Sequence, residues 1–274
     1  MFFLRNILPC GAEMKEYVGR GWAEVLRLNE LESFESIWNL DVEWFEELNE
    51  RRGGWSGVSR INLLTENGKS VGVFLKRQEN HNTKGWTAPV KGVPTFYKEF
   101  KNILRFVSYG LPAVEPVFFS HRYKDGNSQA ILMTRELDGF ESLASAIYSR
   151  DSELMQDKVM REQMMLAVAG RVREMHDYHF EHGCLYDKHI FVRFVEGAWE
   201  VVFIDLEKLR RTCFQGRAVV RDLYTLAKYA KLSGWRRSDR LGFLKDYMKE
   251  ESLSSRSKLI WRKINRRMKL KNKI

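Results

Sequence analysis

The spacing of apolar residues changes near Asp138-Gly139, from every second position to every third or fourth, and this limits the chain to a sheet-rich first part and a helical second part. Upstream, Val58, Arg60 and Asn62 alternate with Ser59, Ile61 and Leu63. Asn67-Gly68 then favours a tight hairpin turn, and residues 71–76 read as the return strand, ending in Lys76. Residues 78–94 read as a polar, flexible stretch. Thr95 is placed to cap a helix with Phe96, Phe100, Ile103, Leu104 and Val107 as its buried stripe and Glu99 one turn in. Residues 113–123 and 128–137 are strand-like, and Lys124-Asp125-Gly126-Asn127 between them is a turn signal.

Downstream, helices are expected at residues 141–149 and 158–180, the second turning Val159, Leu166, Ala169, Val172 and Met175 inward. A loop opening at His182 follows, then a short strand, a turn and a second short apolar strand closed by Asp205. Arg221-Asp222-Leu223 is expected to open a helix, and the chain from Arg236 is again helical and basic. The fold class is α+β with two lobes. The expected layout is a helical extension at 1–50, a sheet-rich lobe at 51–138, a helical lobe at 139–251 and a basic amphipathic tail at 252–274.

The net charge of +10 is concentrated in that tail, which carries nine Lys or Arg and no acid, so the preceding body is nearly neutral. Ile260, Ile264 and Met268 recur beside Trp261 at helical spacing, with Arg262, Lys263, Arg266 and Arg267 between them. Such a helix rests on an anionic membrane surface or packs its stripe on the domain, and the pattern permits both. Nucleic acid is not an expected partner, because no aromatic and basic interleaving runs through the body. Residues 30–50 hold eight acids and no base among apolar residues and read as a solvated helical face. Cys10, Cys184 and Cys213 are odd in number and far apart, which argues against a disulfide framework and for a reducing compartment. The short apolar start has no preceding basic segment, so a secretory signal is not expected, and no apolar run is long enough for a membrane span. A cytoplasmic location, peripheral to a membrane through the tail, is the resulting expectation.

The order of five features carries the functional reading. A glycine-rich turn (Gly53, Gly54, Gly57) precedes a strand lysine (Lys76), a helix glutamate (Glu99), a loop opening at His182, and an acid (Asp205) that closes an apolar strand. Phosphoryl transfer from ATP on a kinase scaffold needs these parts in this order: backbone N–H groups near the phosphates, a lysine held by a carboxylate, and an acid for Mg²⁺. Glu115 is the other carboxylate that could face Lys76. Zinc is disfavoured, since His182, Cys184 and His189 lack a fourth ligand of matching spacing.

The stretches RRGGWSGVSR, HGCLYDKHIFV, VVFIDLEKLRR and RDLYTLAKYA resemble the lipopolysaccharide kinases of Gram-negative bacteria, the Kdo/heptose kinase group, and within it the InaA-like proteins. The resemblance spans roughly residues 50–235. It implies a protein-kinase-like fold with ATP between the lobes and transfer of the γ-phosphate to a sugar hydroxyl of the lipopolysaccharide inner core, at the cytoplasmic face of the inner membrane. It also implies that Asp205 holds Mg²⁺, that His189 stands at a position commonly held by a metal-binding asparagine, and that His182 and Asp222 support the catalytic loop.

The sharpest departure is Cys184, which stands where related kinases place the catalytic aspartate. Three readings follow: Asp187 serves as base, transfer proceeds without one, or the protein binds ATP as a pseudokinase that regulates or scaffolds envelope assembly. A general base is worth about 10²–10⁴ in rate, so its loss slows such a kinase without silencing it. Arg52 also replaces the first glycine of the usual phosphate loop.

Overall fold

The computed structural model describes residues 16–51, 53–85, 88–232 and 234–271. Cys10, the apolar start and the first fifteen positions of the expected extension lie outside them, as do Arg52 and Lys273. The chain divides into two compact units. One holds the described residues up to Gly110 with Val114–Asp138, and the other holds Leu111–Ala113 with those from Gly139 onward.

In the first unit the order is β1 (Glu16–Val18), α1 (Ala23–Leu28), α2 (Phe34–Trp38), β2 (Asn49–Arg51), β3 (Gly54–Leu64), β4 (Ser70–Glu79), β5 (Asn82–Gly85), β6 (Ala88–Pro94), α3 (Thr95–Ser108), β7 (Pro116–Lys124) and β8 (Asn127–Arg135). Six strands form one antiparallel sheet in the order β1-β7-β8-β4-β3-β2. Its central hairpin is the one Asn67-Gly68 encodes: Gly68 takes a positive φ of 74°, and Lys76 falls opposite Val58. Because strand side chains alternate, Phe118 and Phe119 serve opposite faces. Phe118 joins Ile61, Leu63, Val73, Ile131 and Met133 in a core closed by Trp22, Leu26, Phe34 and Ile37. Phe119 stacks on Phe100 of α3 with ring centroids 4.5 Å apart.

Several expectations change here. The described residues before 51 are not a separate helical extension, since β1 and β2 are strands of the sheet and α1 and α2 supply its core. The face read at 30–50 is helical only over Phe34–Trp38, where Ser33 caps the start; beyond it the chain is irregular up to β2, and Phe45 donates its N–H to Val58 at 2.7 Å. The stretch at 78–94 forms the hairpin of β5 and β6. Thr95 is the first residue of α3 and not its cap, and Phe106, not Val107, completes the buried stripe.

The second unit runs β9 (Glu141–Ser142), α4 (Glu153–Gln156), α5 (Lys158–Asp177), β10 (Phe180–Glu181), β11 (Ile190–Val195), β12 (Ala198–Phe203), β13 (Arg210–Arg211), α6 (Gln215–Leu232), α7 (Arg237–Met248) and α8 (Ser255–Lys271). Asp157 caps α5 by accepting the backbone N–H groups of Val159 and Met160. Val168, Ala169, Val172 and Met175 are buried, but Val159 and Leu166 are exposed, because the buried stripe starts at Met164 and runs on through Val168, Val172 and Met175, a face that Leu166 does not share. Residues 141–149 are a short strand and a 3₁₀ turn, not a helix. Helix α6 starts at Gln215, so Asp222 lies in its middle and owes nothing to a helix terminus. Helix α8 packs on α6 and α7 with Ile264 buried, while Arg262, Lys263, Arg266 and Arg267 face solvent. Among the described residues no helix is long and apolar enough to cross a membrane.

Candidate active site

In the first unit, Lys76 of β4 places its ammonium 2.6 Å from Glu99 Oε1 on α3, with the lysine side chain 19% exposed and the glutamate 5%. The alternative partner Glu115 instead accepts the indole N–H of Trp22 at 2.9 Å. The pairing is set by a residue that the sequence pattern hides. Gln78, two positions from Lys76 and fully buried, accepts at Oε1 the backbone N–H of Phe96 at 2.9 Å and the Thr95 hydroxyl at 2.7 Å. Its amide donates to the His81 carbonyl at 2.8 Å. Gln78 thus satisfies the start of α3 from β4 and fixes Glu99 one turn along, opposite Lys76.

The three glycines divide. Gly53 sits at the β2–β3 turn with φ of 80° and open space where a side chain would begin. A Cβ at Gly54 would lie 2.0 Å from the Glu79 carbonyl oxygen, and one at Gly57 would lie 2.5 Å from the Trp44 ring. Close packing therefore accounts for Gly54 and Gly57, and only Gly53 stands open at the turn.

In the second unit the loop after β10 hangs on Asp222. Its Oδ2 accepts the backbone N–H of His182 at 2.7 Å, and Oδ1 that of Gly183 at 3.0 Å. His176 Nε2 lies 3.3 Å from Oδ2, and the Tyr247 hydroxyl is 2.9 Å from His176 Nδ1. Burial acts to raise the Asp222 pKa, but the bond and charge of His176, followed by His182, outweigh it and hold the carboxyl below its usual range. The His182 ring is buried and donates from Nε2 to the Ile204 carbonyl at 3.1 Å, tying the loop to the end of β12. Burial lowers its pKa despite the charges of Asp222 and Asp205, so it is neutral at pH 7.

Asp205 follows that strand in the left-handed conformation, φ 54° and ψ 59°, an arrangement uncommon outside glycine and typical of functional sites. Its Oδ2 lies 3.4 Å from His189 Nδ1, which is also 3.0 Å from the Cys184 carbonyl oxygen. Burial lowers the His189 pKa as well, although Asp205 pulls the other way. Nδ1 faces two oxygen acceptors and so carries the ring proton, which leaves the Asp205 carboxylate as the group here that suits a divalent cation completing its shell with phosphate oxygens and water. Among the described residues no group of three or more His, Cys, Asp or Glu gathers into a ready metal site. Asp187 is buried; its Oδ1 accepts the Lys188 N–H, and the residue lines an apolar cavity with Leu143, Met164, Leu223, Trp235 and Ile264. Cys184 is also buried, and the Lys208 ammonium lies 3.3 Å from its sulfur.

Residues 35–247 match the profile of the lipopolysaccharide kinase (Kdo/WaaP) family. The chain is 33% identical over 198 residues to Protein InaA of Escherichia coli (strain K12), an alignment covering 72% of this chain and 88% of that protein. A solved structure of WaaP in complex with acyl carrier protein superposes with a TM-score of 0.63 at 19% identity, over 92% of this chain and 99% of that one, which shows a common fold.

Proposed function

Since the chain belongs to the lipopolysaccharide kinase (Kdo/WaaP) family, we propose that it is an ATP-dependent kinase that moves the γ-phosphate to a sugar hydroxyl of the lipopolysaccharide inner core. The observation that supports this most is the Lys76–Glu99 pair, a largely buried ammonium held at 2.6 Å by a carboxylate. In the proposed roles Lys76 meets the ATP phosphates, Glu99 orients Lys76, and Gly53 leaves the β2–β3 turn open for phosphate to approach. Asp205, with His189 beside it, would hold Mg²⁺. That ion, when bound, neutralises charge building on the transferred group. His182 and Asp222 keep the loop in register with Asp205.

Cys184 occupies the position of the usual base, and Asp187 faces an apolar cavity, so the reading rests on a loose transition state that gains from positioning and charge more than from proton abstraction. Cys184 is equally the feature that favours the rival reading, an ATP-binding pseudokinase in envelope assembly. A cytoplasmic, membrane-peripheral location, with α8 against anionic lipid, completes the proposal. The experiment is calorimetry of Mg·ATP on the wild type, Asp205→Ala and Lys76→Ala. Binding that requires Mg²⁺ and falls at least tenfold in both variants supports the site; a wild type that binds no nucleotide removes both readings.

A further inference from the structure

Charged groups far apart in sequence converge beside the loop at 182–189. The buried Glu181 carboxylate accepts Arg210 Nε at 3.0 Å and Nη2 at 2.9 Å, and Arg221 Nη1 at 2.9 Å. β10 and β13 pair antiparallel with Glu181 opposite Arg210. Just before β13 lies Lys208, packed so closely on the loop that a Cβ at Gly183 would come within 3.1 Å of the Lys208 carbonyl oxygen. Its ammonium reaches the Cys184 sulfur at 3.3 Å.

This arrangement exceeds what holding β10 to β13 requires, because one arginine on Glu181 would suffice. Two guanidinium groups share the carboxylate, and Lys208 has no carboxylate partner among the described residues, so positive charge is left in excess. The arginine side chains are 59% and 47% exposed, which leaves N–H groups on solvent while Glu181 holds Arg210 through Nε and Nη2 and Arg221 through Nη1. Guanidinium forks held this way match the geometry of phosphate and carboxylate oxygens. The strip ends at Cys184, the loop position that in this scaffold faces the reacting hydroxyl.

We infer that Lys208, Arg210 and Arg221 form a docking strip for an anionic group, phosphate or carboxylate, carried by the sugar that accepts the phosphoryl group. The inference deepens the kinase reading above and rests on it. The strip selects acceptors by charge and holds the hydroxyl near Cys184 without contributing to the chemistry itself.

The test titrates the full chain with glucose 6-phosphate and with glucose, each with saturating Mg·ATP present, for the wild type, Arg221→Gln and Lys208→Gln. Lys208→Gln leaves the Glu181 ion pairs intact, so it reports even where Arg221→Gln fails to fold, which circular dichroism decides. We expect the sugar phosphate to bind at least tenfold more tightly than glucose, to weaken with added salt, and to lose about tenfold in Lys208→Gln. Equal binding of the two sugars or wild-type affinity in Lys208→Gln would overturn the strip. Wild-type nucleotide binding, measured on the same preparation, separates the two failures. Nucleotide binding without sugar phosphate binding removes the strip alone, and sugar phosphate binding without nucleotide binding removes the kinase reading and the acceptor role with it.

Discussion

Gln78 Oε1 accepts the backbone N–H of Phe96 at 2.9 Å, and through this bond β4 carries both the lysine and the anchor of the helix whose glutamate meets it. Gln78→Leu keeps the volume but leaves the Phe96 N–H and the Thr95 hydroxyl without their acceptor in a buried place. Unpaired buried donors of this kind cost about 1–3 kcal/mol each. Urea unfolding is expected to show a loss of about 2–4 kcal/mol, and calorimetry a weakened Mg·ATP affinity, although Gln78 reaches no nucleotide in the proposed roles. A variant as stable as the wild type would mean that the start of α3 is held by its apolar face alone.

Asp222 is the corresponding anchor in the second unit. Asp222→Ala strands two backbone N–H groups and His176 in a buried place. Removing one partner from a buried charged network costs about 3–5 kcal/mol, and a drop of that size in unfolding free energy is expected. Asp222→Asn retains one acceptor oxygen and should lose less. Were the alanine variant to lose under about 1 kcal/mol, the loop would be held by its own turns and not by α6.

These two anchors show what kind of information a sequence exposes. The Lys76–Glu99 contact is readable because strand alternation and helical spacing are local, periodic signals, and the hairpin at Asn67-Gly68 has its own turn chemistry. Gln78 leaves no such trace: it reads as the start of a polar stretch, and its bonds cross to another element. Asp222 is visible as an acid near a helix, but the expectation that it opens that helix fails because α6 begins at Gln215. Residues 30–50 mislead for a related reason. Acids and apolar residues interleave at helical spacing, yet Phe45 bonds to Val58 and the chain is irregular there. The convergence of Glu181, Arg210 and Arg221 depends on contacts across up to forty positions, which no window of sequence reports.

The buried histidines predict a pH dependence of stability. Burial holds both His182 and His189 below the usual histidine value, so both take up a proton less readily in the fold than in the unfolded chain, where they protonate below about pH 6.5. Unfolding then takes up protons, and stability falls as the pH drops from 7.5 to 5.5, with a limiting slope of about 1.4 kcal/mol per pH unit for each histidine. Asp222, held low, keeps its contribution throughout that window and loses it only under more acidic conditions. Melting temperatures in matched ionic strength check this. The slope should flatten in His189→Gln, and a wild-type curve flat between pH 7.5 and 5.5 would contradict the burial argument.

In the proposed kinase reading, Cys184→Asp restores a carboxylate where that reading puts the base, and the adjacent Lys208 ammonium supplies a counter-charge for it. With an acceptor in hand, turnover is expected to rise toward the 10²–10⁴ that a general base contributes, or about 3–5 kcal/mol of barrier. Asp187→Asn tests the competing candidate. If it abolishes turnover while melting as the wild type does, Asp187 is the base and Cys184 is incidental.

The basic helix α8 calls for substitution and not for deletion. Ser257 is fully buried and its hydroxyl donates to Glu250 at 3.0 Å, while Ile264 is buried against the second unit, so removing residues 252–274 would expose core and confuse unfolding with lost binding. The same packing consumes the apolar stripe that an inserting helix needs, leaving an exposed face that carries Arg262, Lys263, Arg266 and Arg267 together with Arg256, Lys258 and Lys269. A surface-bound basic residue contributes about 1 kcal/mol near an anionic leaflet. Replacing Arg262, Arg266 and Arg267 with Gln should therefore weaken binding to phosphatidylserine vesicles about a hundredfold, leave the melting temperature within a few degrees, and make the binding less salt-dependent. Sedimentation with vesicles at 50 and 300 mM salt reads this directly, and equal binding by the wild type and the triple variant would confine α8 to its structural role.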